Sequence, residues 1–354
     1  QGAVFDDIVA AQKKWRSLAP YPGPARGDRR CNRPFDSEIL AVILQELLLR
    51  DGVTLRLHTT LVDVMRNRRT LKALILAGVS GPEAVRAALF IDATGSAQVA
   101  RAAGFHLLKP GPRGILPPSL MFFVRETNGP VTPQLPKGWF HPIRREADLP
   151  MTSFWPNGPG SRALKVKITG FDNRSTEGLT ALEIQARRRM WEVLDFFQRR
   201  KKSPLRFDHA SPLIGLRETA RIAGDYVLSV SDLRAGRKFP DGIARGVFPL
   251  DAMAPDCDQR TYLLSPEEQI VPPYHIPFRS LIAADGDNLL MAGRCFSADP
   301  LALSSARVMT TCAMMGQAAG IAAARCAKYR CSPRDLSATP LRRRIEKLGA
   351  NLTL

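Results

Sequence analysis

Two short glycine-containing turns carry the residues that could hold an anionic or electron-rich cofactor. Asp92-Ala-Thr-Gly95 follows one apolar run, and Gly293-Arg294-Cys295 follows another much later in the chain. Glycine lets a backbone approach a ligand closely, and an arginine can donate two parallel hydrogen bonds to a phosphate or carboxylate. The small-residue run 314–324 predicts a helix, and the free N–H groups at the helix start, 310–317, would face the same ligand.

Each of these segments also has an ordinary structural explanation. The first could be a strand-to-helix turn in which Thr94 caps the helix. Arg294 could be a surface residue after a buried strand. Gly316 and Gly320 could reflect close packing of the later helix on a sheet, and for that helix both explanations can hold together.

Composition argues against several classes of protein. The 354 residues suffice for two hydrophobic cores, and no apolar run is long enough to cross a membrane. The net charge is +18, but the basic residues are scattered, which argues against nucleic-acid binding. No secretory signal is visible, so we expect a cytoplasmic protein. Because the chain does not begin with Met, a removed N-terminal signal stays open.

Metal and nucleophilic chemistry are not predicted. The histidines form no ligand cluster, and the cysteines show no C-x-x-C pair or zinc spacing. We expect reduced thiols at all six cysteines, which are Cys31, Cys257, Cys295, Cys312, Cys326 and Cys331. Walker and G-x-S-x-G sequences are absent, and no G-x-G-x-x-G lies near the start of the chain.

The elements that must position these residues begin with an α/β unit. A helix is predicted from Asp36 or Ser37, which can cap it, to Arg50, with Gly52 ending it. Strands are predicted at 53–58, 61–65, 71–76 and 85–91. The last strand runs directly into Asp92-Ala-Thr-Gly95, and a helical turn follows at 97–103.

A different pattern begins near residue 117. Strands are predicted at 120–125 and 163–169, and helices at 177–200 and after a cap at Ser231. From 274 the α/β pattern returns, with a strand at 288–292 and helices near 309–327 and at 340–348. We therefore predict one α/β domain in two parts, 1–118 and 273–330, an inserted α+β domain at 119–272, and a helical tail at 331–354.

Four segments together resemble a known family. They are Phe35-Asp-Ser-Glu38 with its helix, Phe90-Ile-Asp-Ala-Thr-Gly95, 217–226 with 239–246, and 274–281 continuing to Ala319. Their order and spacing are similar to those of the two-dinucleotide-binding-domain (glutathione-reductase-like) flavoproteins. They are more similar still to bacterial FAD-dependent oxidoreductases that are often named after the flavoprotein component of heterodisulfide reductase. The resemblance covers most of residues 1–350.

This resemblance implies a Rossmann-like FAD/NAD(P)-binding fold with an inserted substrate domain, and FAD as the cofactor. It brings three groups of residues close to FAD: Ala93, Thr94 and Gly95; Gly293, Arg294 and Cys295; and Met315, Gly316 and Gln317. The first glycine turn passes the cofactor, the second lies over the pyrophosphate and ribityl chain, and the helix start faces the flavin pyrimidine edge. Val62 is a further implied cofactor contact.

The catalytic candidates are His275, Arg279 and Arg307, on segments that the resemblance brings towards the flavin. A substrate that gives up a hydride and develops carbonyl character needs a base for its hydroxyl or amine proton, and His275 has suitable titration. An arginine would suit a substrate carboxylate. The ordinary alternative, that His275 is a hydrogen-bonded histidine before Pro277, stays open.

In the resembled family, a first strand, glycine loop and helix hold the FAD pyrophosphate, ahead of a segment like 2–8. That βαβ unit, roughly 30 residues or more, is absent here, so we expect a fold that lacks it and a truncated N-terminus. We expect an enzyme, an FAD-dependent oxidoreductase that transfers a hydride from an unidentified small-molecule substrate to flavin. The electron acceptor and the oligomeric state are unknown. The alternatives are a truncated, non-catalytic remnant or binding protein that no longer holds FAD and, on charge alone, a nucleic-acid-associated protein.

Overall fold

A computed structural model describes residues 3–18, 35–112, 114–259 and 261–353, so the thiol at Cys31 lies outside the described residues. The first helices are α1 (Ala3–Lys14) and α2 (Ser37–Arg50). The predicted cap of α2 is confirmed, since the Asp36 carboxylate accepts hydrogen bonds from the N–H groups of Glu38 and Ile39. A carboxylate there satisfies amides that the helix itself leaves unpaired.

An antiparallel meander follows, formed by β1 (Thr60–Asn67), β2 (Thr70–Gly78) and β3 (Gly81–Val85). The strand predicted at 53–58 is wrong. The segment has no regular secondary structure, no strand pairs with it within the described residues, and His58 has a positive φ of 53°. A strand depends on a partner for its backbone hydrogen bonds, which an apolar sequence pattern does not reveal.

The segment predicted as one strand at 85–91 is divided between two sheets. β3 ends at Val85, and β4 (Phe90–Asp92) pairs in parallel with β11 (Leu289–Met291). Because the carboxyl ends of parallel strands lie at the same edge, the turns after β4 and β11 come together. This pairing brings the two glycine turns to one place in the fold.

Three helices lie after these two strands. α3 (Gln98–Ala102) follows β4, and α6 (Pro300–Ala306) and α7 (Met309–Tyr329) follow β11. The sequence patterns predicted α7 but not α6. Asp299 caps α6 by accepting from the Ala302 N–H, and Pro300 occupies its first turn.

A four-stranded antiparallel sheet forms the middle of the chain. Its order is β6 (Thr152–Pro156), β7 (Ser161–Lys167), β5 (Ser119–Glu126) and β8 (Leu205–Ala210), and α4 (Thr176–Arg200) packs on it. β5, β7 and α4 were predicted. β6 lies inside a Pro- and Gly-rich segment, where pairing with β7 outweighs weak local propensity.

The remaining elements are α5 (Val230–Arg234), β9 (Gly242–Gly246), β10 (Tyr274–Pro277) and α8 (Ala338–Lys347), with β9 and β10 antiparallel. The predicted cap Ser231 is wrong. Ser229 caps α5 instead, in a reciprocal arrangement with Asp232 that satisfies two backbone N–H groups.

Two hydrophobic cores hold the chain together. One lies between the four-stranded sheet and α4, with buried side chains from Leu120 to Ile214. The other combines side chains from 71–105 with side chains from 220–352, including those of β4, β9, β10, β11 and α7. The domain limits at 119 and 272 stay a prediction. Of the helices in the described ranges, none is long and apolar enough to cross a membrane.

Candidate functional site

The first glycine turn is organised by Asp92, which is fully buried. One carboxylate oxygen accepts from the N–H groups of Val99 (2.9 Å) and Ala100 (3.3 Å) at the start of α3. The other accepts from the N–H and hydroxyl of Thr94, whose own Oγ1 accepts from the Gln98 N–H. The capping explanation therefore holds for these side chains, and it leaves the backbone around exposed Ala93 free for a ligand.

Gly95 and Arg294 form the contact between the two glycine turns. Gly95 has a φ of +72°, and a Cβ built there would lie 2.4 Å from Nη2 and 2.8 Å from Cζ of Arg294. The Thr219 hydroxyl donates to the Gly95 carbonyl at 3.3 Å. Only glycine leaves room for the guanidinium in this position.

The guanidinium of Arg294 has no partner among the described residues. Its Nε is buried without a hydrogen bond, and the rest of the group forms no ion pair within those ranges. Arginine side chains held in place by packing normally donate to a carboxylate, a carbonyl or water. Arg294 therefore offers its donors to a group that the chain itself does not supply.

Cys295 connects the same two turns through a buried hydrogen bond. Its thiol is fully buried and donates to the Asp92 carbonyl at 3.3 Å. Burial, followed by the charge of Asp92, raises the pKa of the Cys295 thiol to about 12. The thiol therefore stays protonated and inert, and any cofactor contact at this position is made by the backbone of the turn, where Gly293 has a φ of 81°.

The start of α7 lies beside this contact and has no side-chain cap. Val308 occupies the cap position, and the first turn contains no acidic residue. Cys312, in that turn, donates to the Arg307 carbonyl, and charges on Arg294 and Arg307 lower the pKa of its thiol, although burial raises it to about 11 overall. The positive end of α7 and both arginines thus lie close together.

The packing explanation for the glycines of α7 is wrong. A Cβ at Gly316 or Gly320 would meet nothing within 4 Å, so neither glycine permits a close contact with the described part of this chain. Met315 is fully buried, and the Gln317 side chain accepts from the Val4 N–H of α1 at 3.2 Å. The helix leaves open space beside its two glycines.

His275 and Arg279 are bound to other groups. The Phe239 N–H donates to Nδ1 of His275 (3.2 Å), which leaves Nε2 to donate to the Leu352 carbonyl (2.7 Å). The histidine is buried, burial lowers its pKa, and neither ring nitrogen keeps a free lone pair. The ordinary explanation of His275 fits this geometry, so we do not retain it as a base.

Arg279 donates to the Asp241 carboxylate at 2.9 Å and lies over the Tyr226 ring. Val62 is 58% exposed, within an irregularity of β1. Within the described ranges, no hydrogen bond or ion pair joins Val62, His275 or Arg279 to Gly95 or Arg294. Arg307 lies two residues before α7, and the Cys312 thiol of that helix donates to its carbonyl.

Sequence reasoning missed two groups that organise the site. Thr219 holds the first turn through the Gly95 carbonyl, and Asp251 pairs with Arg307 at 3.0 Å. Neither residue is marked by a local motif, because both act across long sequence separations. Asp92 lay inside a recognised turn, and its position directly after a strand and before a helix was the signal for a cap.

A comparison with known protein families identifies the chain. Residues 1–345 match the family model described as FAD dependent oxidoreductase. The chain belongs to this family: it is an FAD-dependent enzyme of the oxidoreductase class, with a Rossmann-like FAD-binding fold and FAD as its cofactor. No curated protein matches it.

Several solved structures are similar to this chain at low sequence identity. OxyS anhydrotetracycline hydroxylase from Streptomyces rimosus is 15% identical over 57% of this chain and 39% of its own, with a TM-score of 0.35. The flavin-dependent brominase Bmp2 is 13% identical over 98% of this chain and 71% of its own (TM-score 0.44). The myxobacterial chondrochloren halogenase CndH is 11% identical over 90% of this chain and 57% of its own, with a TM-score of 0.41. The match spans less than half of OxyS, and similarity at this level carries no argument about substrate or reaction.

The residues around Arg294 fit the cofactor of the family. Among the described residues the guanidinium has no partner and suits a phosphate, the uncapped start of α7 suits an electron-rich ring edge, and nothing would lie within 4 Å of a Cβ at Gly316. In the described part of the chain, no three His, Cys, Asp or Glu side chains come together as metal ligands.

Proposed function

We propose that this chain catalyses hydride transfer from a small-molecule substrate, with FAD held where Gly95, Arg294 and the start of α7 meet. The observation that supports this proposal most is the guanidinium of Arg294, packed over Gly95 and without a partner among the described residues. The Nε of this group is buried beside Gly95, so binding an anion would leave less of the side chain to order.

Each residue near the proposed FAD site would have its own role. Arg294 would donate to an anionic group of the cofactor, and Gly95 keeps the space that this guanidinium needs. The first N–H groups of α7 would stabilise negative charge on the ring system. When bound, FAD would supply the two-electron acceptor that no side chain provides. Arg307, oriented by Asp251, would face the substrate.

Two finer expectations belong to the same proposal. The kinship with glutathione-reductase-like flavoproteins, and with proteins named after the flavoprotein component of heterodisulfide reductase, rests on the four sequence segments alone. Cofactor contacts by Ala93, Thr94, Met315, Gln317 and Val62 likewise remain expectations from that resemblance.

FAD titration of the purified 354-residue chain tests the proposal. Quenching of flavin fluorescence should be saturable in the native chain. Arg294→Gln should weaken FAD binding by roughly tenfold or more, because a charge-assisted hydrogen-bond pair is lost. Arg343→Gln, which removes an exposed arginine of α8, is the control and should bind FAD as the native chain does. Equal affinity of Arg294→Gln and the native chain would refute the role of Arg294. A native chain that binds no FAD would leave the non-catalytic remnant as the better description.

A further inference from the structure

Two cysteines lie together where α7 ends. Arg330, directly after the helix, has a left-handed backbone with a φ of 53°, and the N–H of Cys331 donates to the Cys326 carbonyl at 3.2 Å. This hydrogen bond is typical of a Schellman ending, in which the side chains of these two positions commonly contact one another. It keeps the two Cα atoms within about 7 Å of each other. Cysteines farther apart than that cannot be bridged without backbone movement.

The two side chains also contact each other. Cys326 is fully buried, Cys331 is partly buried, and both are free thiols. Burial, followed by the charge interaction and the hydrogen bond with Cys331, raises the pKa of the Cys326 thiol to about 12. Cys326 therefore keeps its proton and shares it with the Cys331 sulfur. Cys331 is the more accessible sulfur of the pair and the one that an oxidant would meet first.

The chain is fixed on both sides of this pair. Before it, Ala322 of α7 is fully buried in the core. After it, the Ser332 hydroxyl donates to the Asp287 carbonyl at 3.0 Å, and the Arg334 guanidinium donates to the Ala283 carbonyl at 2.6 Å. The fold therefore holds the two sulfur atoms beside each other, so a bond between them would need little rearrangement of the chain.

Two other thiols of the chain are bonded to oxygen instead. Cys295 donates to the Asp92 carbonyl at 3.3 Å, and Cys312 donates to the Arg307 carbonyl at 3.2 Å. A carbonyl gives an oxidised sulfur nothing to react with, whereas a neighbouring thiol can convert it to a disulfide. The contact between two sulfur atoms therefore distinguishes Cys326 from these thiols.

We propose that Cys326 and Cys331 form a reversible oxidation site, at which a hydroperoxide converts the two thiols to a disulfide. The Cys331 sulfur attacks one peroxide oxygen, so an S–O bond forms as the O–O bond breaks, and the leaving hydroxide takes the thiol proton to become water. The Cys326 sulfur then attacks the sulfenic sulfur. The S–S bond forms as the S–O bond breaks, and a second water leaves with the Cys326 proton. The thiols lose two electrons in total, which the peroxide gains.

This site is separate from the proposed cofactor site. It lies at the end of α7, whereas the uncapped start of the helix, near Val308, adjoins Arg294. The inference therefore goes beyond the proposed function and does not require the chain to bind FAD.

Peptide mapping of the full 354-residue chain tests the inference. Trypsin cuts after Lys328 and Arg330, so Cys326 and Cys331 end on separate peptides, 326–328 and 331–334. After treatment with hydrogen peroxide at low protein concentration and alkylation without reductant, the native chain should yield these two peptides as one linked species. Dithiothreitol should separate them, and the untreated chain should give both peptides alkylated and unlinked.

Single substitutions separate the roles of the two sulfur atoms. Cys326→Ser removes the second thiol, so peroxide should leave Cys331 as a sulfenic acid that dimedone traps, an adduct that the native chain should largely lose to disulfide formation. Cys331→Ser should give neither the linked peptides nor an adduct at Cys326. Cys257→Ser is the control, since it replaces a thiol hydrogen-bonded to the Thr261 hydroxyl, and it should form the linked peptides as the native chain does.

Two results would overturn the inference. One is oxidation of Cys257 by peroxide while 326–328 and 331–334 stay unlinked in the native chain. The other is linkage of these peptides only between separate molecules, seen as a dimer on a gel without reductant. Should Cys326→Ser not fold, Cys326→Ala gives the same comparison. Either failure leaves the proposed function standing, because FAD binding is measured independently.

Discussion

At the scale of single residues, the proposed site depends on a glycine, Gly95, at a position where a larger residue would not fit. Gly95 has no Cβ, and this absence creates the space for the guanidinium of Arg294. The sequence marks both positions but not their contact. A glycine in a turn is commonly explained by backbone conformation alone, and here a steric reason is added to the conformational one.

Gly95→Ala separates these two reasons when it is compared with Gly52→Ala. Both glycines have a φ of +72°, but a Cβ at Gly52 meets nothing within 4 Å. Both substitutions should therefore cost about 1 kcal/mol or somewhat more of backbone strain in urea unfolding. Only Gly95→Ala displaces Arg294, so it alone should weaken FAD binding, roughly tenfold, in the fluorescence titration. Similar FAD affinities for the two variants would contradict the steric role of Gly95.

His275 makes a pH-dependent contribution to stability. Burial lowers its pKa below the ordinary 6.5, so the unfolded chain takes up a proton at a higher pH than the folded chain. The stability supplied by the neutral ring is fully present above pH 6.5 and is lost as the pH falls towards the folded-state pKa.

His275→Gln should flatten this dependence, since the amide can replace the two hydrogen bonds without titrating. Urea unfolding between about pH 7.5 and 5.5 measures the effect. The exposed His58→Gln is the control and should keep the native slope. A His275→Gln slope equal to that of the native chain would show that another group causes the pH dependence.

At the scale of elements, α3 is attached to the sheet through one carboxylate. Asp92 ends β4 and accepts from two N–H groups of α3, while Asp36 caps α2 with the same chemistry on an exposed helix. The two caps differ in burial, and Asp92 additionally orders the turn that contains Gly95. A buried cap that loses its acceptor leaves its donors unsatisfied and out of reach of water.

Asp92→Ala should therefore cost about 3 kcal/mol or more, and Asp36→Ala about 1 kcal/mol. Asp92→Ala should also weaken FAD binding, because the turn at Gly95 loses its order, whereas Asp36→Ala should not. Chemical denaturation and the FAD titration provide the two measurements. Equal losses of stability in both variants would mean that burial adds nothing to the cap.

At the scale of the whole molecule, different hydrophobic cores support the proposed cofactor site and the four-stranded sheet. Leu290 on β11 belongs to the core that combines 71–105 with 220–352. Leu194 on α4 belongs to a second core, between α4 and the four-stranded sheet, and both leucines are fully buried. β11 leads directly into Gly293 and Arg294. The second core supports β7, which ends at Lys167.

Leu290→Ala and Leu194→Ala should each cost about 2–5 kcal/mol, because each leaves a cavity in a packed core. FAD affinity, measured well below the unfolding midpoint, should fall several-fold only in Leu290→Ala. Loss of FAD affinity in both variants would show that the two cores act as one unit.

The sequence alone determined the local elements and the family. The periodicity of α2 and α4, the cap of α2, the strands β5, β7 and β11, and the two glycine turns all follow from neighbouring residues, whose side chains and backbone decide them over short distances. The order of four such segments predicted an FAD-dependent oxidoreductase, which the match to the family model confirms, while the finer kinship stays a prediction. The turns were correctly placed at strand ends, although 53–58 forms no strand and α6, β6 and β8 went unpredicted.

Tertiary structure decided what the candidate residues do. His275 was a plausible base until Phe239 and Leu352 occupied its ring nitrogens, and Arg279 was a plausible substrate ligand until Asp241 paired with it. Arg294 remained available for the opposite reason, since packing on Gly95 gave it a position but no partner. A residue type sets which bonds a side chain can make. Only the fold, by burying some donors and satisfying others, decides which of those bonds are left for a ligand.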